Sequence, residues 1–432
     1  MKSVLFPIKS KGLLKYLKRG HTIMKNYGLT PSKMMQALDH FSQILQEFQC
    51  GATFPITAVA IGRNGKSIGK YAVQGIEFAI HGYRHIGHSQ LTLEEQMAHL
   101  RRAQHAFIAL GIPVAGFRAP YLHFNENLRA AAREIGLKYV SNQPILWNVL
   151  DGESFSPAAQ AAYKRAIAFY RPWDADEQPS LPCLYNQLVE IPVSLPDDEM
   201  LLDRLGGDAH GLVAAAWSRM LTEAHQREEL FTLQLHPERI AWCAPALSAL
   251  LAKAHALKPP VWVARLDEIA TWWRARCEAT VTVTSVETGK LCLSVRGPAG
   301  VTVLVRGVEV NQLTYPWMNG YRRCEMQTLT LTTDIRPFIG VPVGTSPELV
   351  GFLQRQGYVV EASANPRDYS VYLDQLDYLS DNKRALLARI EGSNQPLVRL
   401  GRWPHNTGSA LAITGDIDAL TLWDYGLRYL GY

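Results

Sequence analysis

The chain has 432 residues, 47% of them hydrophobic, and a formal net charge of +5. That content provides for a large buried core and two or three domains of a globular protein. The charge is scattered rather than gathered into Lys/Arg blocks, so it gives no footprint for nucleic acid or membrane, and no window is apolar for long enough to span a bilayer.

The chain starts with a basic stretch, MKSVLFPIKSKGLLKYLKRGHT, that lacks the apolar core and small-residue ending of an export signal, so a cytoplasmic location is expected. From Thr30 to Cys277 helical and strand patterns alternate. Thr30 and Pro31 suit a helix start, and Met34, Leu38, Phe41, Leu45 and Phe48 recur at helical spacing. A buried strand is expected over ATFPITAVA (52–60), and a second strand within GIEFAIHG (75–82). Thr92 and Glu95 form a capping box opening a helix that stops at Gly111. Further strands are expected in AGFRAPY (115–121), KYVSN (138–142), LVEIPVS (188–194), FTLQLHP (231–237) and VWVARL (261–266). This alternation predicts an α/β fold with a parallel sheet or barrel.

After Cys277 short β-type runs follow one another with Thr-Gly and Gly-Pro between them, which predicts a small antiparallel insertion over 278–335. An α/β-like mixture returns over 336–400, and residues 401–432 add a strand, SALAIT (409–414), and a helical tail. The six cysteines are far apart and form no CxxC pair, which favours core thiols over a zinc ribbon or disulfide framework.

Parallel strands deliver functional side chains at their C-terminal ends. Those ends hold His81 and His85, then Arg118 and Tyr121, then His236, and finally Asp416 and Asp418. Two histidines at i and i+4 can meet one ion, with a carboxylate completing a partly open site. Taken singly, each motif has a plain structural explanation: loop histidines, a surface ion pair, a strand-ending proline, or a polar turn at GDID (415–418). Their combination suits metal-assisted hydrolysis.

In their order, these residues resemble the polysaccharide deacetylases, the NodB-like carbohydrate esterases of family four. HGYRH (81–85) is similar to that family's His-(Ser/Thr)-x-x-His motif, with Gly82 in place of the hydroxyl residue. RAPY (118–121) matches Arg-x-Pro-Tyr, and LQLH (233–236) matches Leu-x-His. The family's Thr-Phe-Asp-Asp motif, which should precede residue 51, is absent there; its counterpart is SALAITGDIDAL near the other end. The expectation is therefore a circularly permuted, deformed (β/α)7-type barrel in which 409–414 inserts beside 52–60.

The resemblance implies removal of an acetyl group from an N-acetylated sugar, glycan or glycan precursor. It implies a divalent ion, expected to be Zn2+, on His81, His85 and Asp418, with Asp416 as base, Arg118 orienting it, His236 as acid and the Tyr121 N–H facing the oxyanion. By order Asp416 is the base and Asp418 the ligand, though Ile417 between them leaves the reverse assignment open. Trp147, Asp197 and Asp198 are the candidates to orient His236. Tyr83, Pro120 and Trp147 are candidate substrate contacts, with packing roles equally open to the aromatic residues. Two alternatives remain: an amidohydrolase of the same fold acting on a non-sugar amide or ureide, and a catalytically inactive glycan-binding module.

Overall fold

A computed structural model describes residues 27–375 and 382–430. The basic stretch read for an export signal lies outside the described residues, as do the last two residues of the tail. Among the described residues no helix is long and apolar enough to cross a membrane.

Nine strands make the central sheet: β1 (Ala52–Ile56), β2 (Ile76–Ile80), β3 (Gly116–Phe117), β4 (Tyr139–Val140), β5 (Cys183–Tyr185), β6 (Leu188–Glu190), β7 (Leu230–Gln234), β8 (Val261–Val263) and β9 (Ser409–Thr414). They lie in the order β7-β9-β1-β2-β3-β4-β6-β5, with β8 also paired to β9. All pairings are parallel except the β5–β6 hairpin. The apolar runs without polar alternation follow from burial on both faces, as helices cover a parallel sheet. All six residues of β9 are buried.

β9 enters the sheet between strands from much earlier in the chain. One edge pairs with β7 from Ala410 to Thr414, and the other is shared by β8 at Ser409–Leu411 and β1 at Thr414. The Gly415 and Ile417 N–H groups continue this contact, donating to the Thr53 and Pro55 carbonyls at 3.3 and 2.7 Å. Placement of 409–414 beside 52–56 agrees with the sequence reading.

The sheet is curled into a half-barrel. Beyond β6 the chain forms a second strand, Val193–Leu195, in a small sheet with Pro144–Leu146 and Trp173–Asp174. Ser194 Oγ accepts the Thr232 N–H at 3.2 Å, so a side chain bridges this sheet to β7. LVEIPVS is thus two strands rather than one: Pro192 supplies no N–H, and the ladder changes sheets there. Likewise ATFPITAVA is a strand only to Ile56, because Ala58 already begins the helix Ala58–Ala72. The first helix is Ser32–Glu47; Pro31 stands at its N-cap, and Thr30 Oγ1 contacts Ser32 Oγ at 3.1 Å instead of capping. The Thr92–Glu95 capping box forms as the sequence suggests.

Residues 280–332 contribute an antiparallel sheet of Thr280–Glu287, Lys290–Arg296, Thr328–Thr332 and Glu309–Val310. A second sheet joins Thr314–Pro316, Arg322–Cys324 and Val303–Arg306 to Leu397–Leu400. Between these lies a three-stranded parallel sheet, Val360–Ala362, Arg336–Val341 and Tyr369–Tyr372, with helices Pro347–Gln356 and Lys383–Gly392. Trp272 on the helix Leu266–Cys277 donates to the Arg402 carbonyl at 2.9 Å, anchoring this part to the barrel.

The two extremities of the described chain meet. The Leu422 N–H donates to the Gly28 carbonyl at 2.9 Å, and the Tyr27 and Tyr425 rings lie 5.5 Å apart.

Candidate metal centre

The loops after β9, β1, β2 and β3 are bonded to one another. The Ala58 and Val59 N–H groups donate to the Gly82 and Tyr83 carbonyls at 3.0 and 3.1 Å, and Thr57 Oγ1 donates to the Asp418 carbonyl at 3.4 Å. Two glycines permit this approach. Gly82 has φ +83°, and a Cβ there would stand 2.6 Å from the Arg84 carbonyl oxygen; a Cβ on Gly415 would stand 2.0 Å from that of Leu235. The hydroxyl residue of the family motif is replaced where the backbone is left-handed, a conformation glycine adopts readily.

His81, His85 and Asp418 each offer one ligand atom, all within 4.8 Å of one another. Asp418 Oδ1 is 3.0 Å from His85 Nε2 and 3.4 Å from His81 Nε2. His81 is buried, and its Nδ1 lies 2.9 Å from the Arg118 carbonyl. That bond assigns the ring proton to Nδ1 and directs the Nε2 lone pair toward Asp418, an arrangement common among metal-binding histidines. The donor set of two imidazoles and one carboxylate suits zinc or another divalent transition ion.

Asp416 is held differently. Its Oδ1 accepts from Arg118 Nη1 at 3.1 Å and its Oδ2 from Gln234 Nε2 at 3.2 Å, while Oδ2 stands 3.9 Å from His81 Nε2. Arg118 is fully buried and spends its other donors on Thr414 Oγ1, the Ser141 carbonyl and Ser141 Oγ. The guanidinium therefore fixes the ends of β3, β4 and β9 together with the carboxylate.

Tyr121 follows Pro120 with φ +63° in the short helix Pro120–Leu122. Its ring meets that of His85 edge-on at 4.5 Å and is 42% exposed, so it borders the histidine pair and solvent. Pro120 itself is buried.

Past β7, His236 Nδ1 lies 2.8 Å from Asp198 Oδ1, and the His236 N–H donates to Asp198 Oδ2 at 3.0 Å. Arg239 Nε is 3.3 Å from the same carboxylate. Burial disfavours the His236 cation, but Asp198 outweighs it and holds the pKa well above the ordinary value. Burial also opposes the Asp198 anion, yet His236 and Arg239 keep its pKa below the usual carboxylate value. Neighbouring Asp197 is pushed up to about 7 by burial and by Asp198. Of the orienting candidates for His236, Asp198 is the one in contact.

Two sequence expectations, those for Trp147 and Tyr83, need correction or narrowing. Trp147 is 1% exposed, with its Nε1–H on Ser194 Oγ at 3.2 Å; it packs the barrel closure and cannot stack on a ligand. Tyr83 turns its ring toward His99 at 6.3 Å and beneath the Arg102 guanidinium at 3.9 Å, both on the helix Leu93–Ala109. His88 is fully buried, its Nδ1 2.6 Å from Gln96 Oε1, and it stands outside the ligand cluster. Gln234 was missed by sequence reading; its place at the end of β7, two residues before His236, was the available signal.

The polysaccharide deacetylase family model matches residues 27–140. Over that segment the chain is similar to the polysaccharide deacetylases. No curated protein matches the chain. Among solved structures, a polysaccharide deacetylase-type protein of Mycobacterium smegmatis is 23% identical with TM-score 0.42, over 58% of this chain and 81% of the other. One from Pseudomonas aeruginosa PAO1 is 17% identical with TM-score 0.43, over 55% and 72% respectively. The PuuE allantoinase is 18% identical with TM-score 0.41, over 55% and 72%. The family segment holds His81, His85, Arg118 and Tyr121; the two aspartates beside them come from outside it.

Proposed function

We propose that this chain is a metal-dependent hydrolase that removes an acetyl group from an N-acetylated sugar or glycan precursor. The observation that carries this reading is the meeting of His81, His85 and Asp418, next to an Asp416 gripped by Arg118, at the ends of β2, β3 and β9. Bound on those three residues, a divalent ion, in our reading Zn2+, would supply Lewis acidity toward the amide carbonyl and the attacking water. The order of β9 after β8 is read as a circular permutation of the family's usual chain.

Asp416 serves as the base. Arg118 and Gln234 each occupy one of its oxygens, which fixes the carboxylate's orientation. Asp418 serves as ligand because it contacts both histidines. The Tyr121 N–H faces the developing oxyanion, its position set by the left-handed turn after Pro120. His236 donates a proton to the departing nitrogen; Asp198 on Nδ1 leaves Nε2 to carry out the transfer. An amine leaves poorly without that proton. Tyr121, at the rim, presents the aromatic face on which a sugar ring would lie.

The test combines elemental analysis of wild type, His81→Ala and Asp418→Ala with acetate release from N-acetylglucosamine oligomers and sugar conjugates. The expected result is one divalent ion per chain, lost in both variants, and acetate release that follows the metal. Wild type without metal after purification in chelator-free buffer would overturn the mechanism. Stoichiometric metal with glycan binding but no hydrolysis would select the inactive binding module.

A further inference from the structure

At the opposite end of β7 from His236 lies a cavity of about 190 Å³, between the barrel and the helix Lys383–Gly392. Arg227, Arg384, Arg399 and Arg402 all line it. The acids of its wall are already engaged. Glu229 pairs with Arg384 at 3.0 Å and accepts the Ser180 N–H; Glu228 takes Arg399 Nη2 at 2.5 Å and Asn319; Glu391 takes the Tyr321 and Tyr358 hydroxyls and Arg306.

The guanidinium side is not balanced. Arg402 is 7% exposed, gives Nη1 to the Arg227 and Glu228 carbonyls, and among the described residues has no carboxylate within ion-pair distance. Its Nε and the Nη1 of Arg399, itself 3% exposed, are buried without a partner. Arg276 stands behind them, also 3% exposed, with an unpartnered Nη2. Burial, together with Arg402 and Arg399 against the opposing Cys277, lowers the Arg276 pKa to about 10. A buried charged donor without a partner is costly, and unpartnered donors on two arginines of the cavity wall, Arg402 and Arg399, call for an anion.

We infer that this cavity binds a phosphoryl group, free or carried on a small molecule, through Arg402 and Arg399. A tetrahedral oxyanion presents several acceptors at once to planar guanidinium forks, which a halide does not. The volume is several waters' worth, yet below the roughly 300–1,000 Å³ of cavities for drug-sized ligands, so phosphate or a triose-sized ester fits and a dinucleotide does not. This site is separate from the metal centre and does not depend on the hydrolase reading.

The test is titration calorimetry of the full chain with inorganic phosphate and with glycerol 3-phosphate, against chloride at equal ionic strength. The proteins are wild type, His81→Ala, Arg402→Gln and Ala388→Phe; Ala388 is an exposed residue of the cavity wall, so its enlargement blocks the cavity without entering the core. Saturable 1:1 binding is expected in wild type and His81→Ala, at least tenfold weaker in Arg402→Gln and in Ala388→Phe. Tighter binding of the ester would mark a carried phosphoryl group, and equal binding a free one. Absence of saturable binding in wild type overturns the inference. So does binding lost in His81→Ala but kept in Ala388→Phe, which would place phosphate at the metal centre.

Discussion

At the scale of single residues, the site divides its carboxylates by what holds them. Asp418 touches two imidazoles, whereas Asp416 is fastened by Arg118 and Gln234. Replacing His236 with Gln is expected to lower kcat by 10²–10³ while KM changes less than threefold, because a general acid acts in the transition state and hardly on substrate binding. Steady-state kinetics on one acetylated substrate checks this; a rise in KM at constant kcat would remove His236 from the chemistry. Gly82→Ser, which restores the hydroxyl of the family motif, is expected to destabilise the protein by about 1–3 kcal/mol in urea unfolding, since the left-handed backbone and the Arg84 carbonyl leave no place for a side chain.

His88 gives a pH test. Burial lowers its pKa to about 4, with Gln96 opposing and His99 and His81 adding to the shift. The unfolded chain takes up the proton near pH 6.5, so the stability from a neutral His88 is present above that pH. It is lost as pH falls from about 6.5 to 4, amounting to about 3 kcal/mol at most. Urea unfolding of wild type and His88→Gln at pH 7.5 and 5 should show the shallower pH dependence in the variant.

At the scale of elements, β9 is what joins the two aspartates to the histidines. Its turn into residues 415–418 runs so close to the end of β7 that Gly415→Ala must push the two apart. The expected cost is about 1–3 kcal/mol of stability, as for overpacked sites, with weaker metal retention under chelator challenge because Asp418 is displaced. Unchanged metal affinity would mean that the turn adapts without moving its acids. Much of this element was legible beforehand: Ala410 to Ile413 is an apolar run, and two acids follow it as they would follow a strand end. The break at Pro192 was less visible, since apolar residues flank the proline on both sides and the change of partner sheet shows only in the fold. Trp147 was misjudged because an aromatic residue that packs and one that meets a ligand have the same local sequence signal. The Asp198–His236 pair joins positions 38 apart; Asp198 was among the candidates for that role, and only the fold singles it out from Asp197 and Trp147.

At the scale of the whole molecule, the β-type runs of 280–332 and the α/β pattern after 336 were readable, but their partition was not. Leu397–Leu400 pairs with Val303–Arg306 across nearly a hundred residues, and no local periodicity announces such a partner. The guanidinium cavity was likewise invisible, because its arginines come from three segments far apart in the chain. The meeting of Gly28 with Leu422 supports a further test. A chain opened after Glu278, with Tyr432 joined to Met1 by a flexible linker, should keep metal content and melt within a few degrees of wild type. A permuted chain that folds but does not hold metal would show that the connection through 279–408 positions Asp418.

The place of β9 also sets a timetable. During synthesis at about 5–20 residues per second, β1, β2, β7 and β8 leave the ribosome well before Ser409 is added. Throughout that interval the slot flanked by β7, β8 and β1 has no occupant, and unpaired backbone edges face each other across it. Both histidines exist by then, yet neither aspartate does. The nascent chain thus carries an unfinished barrel and an inert pair of imidazoles until residues 409–418 arrive, and a product cut short before Ser409 would hold the family segment without either of the acids that meet it.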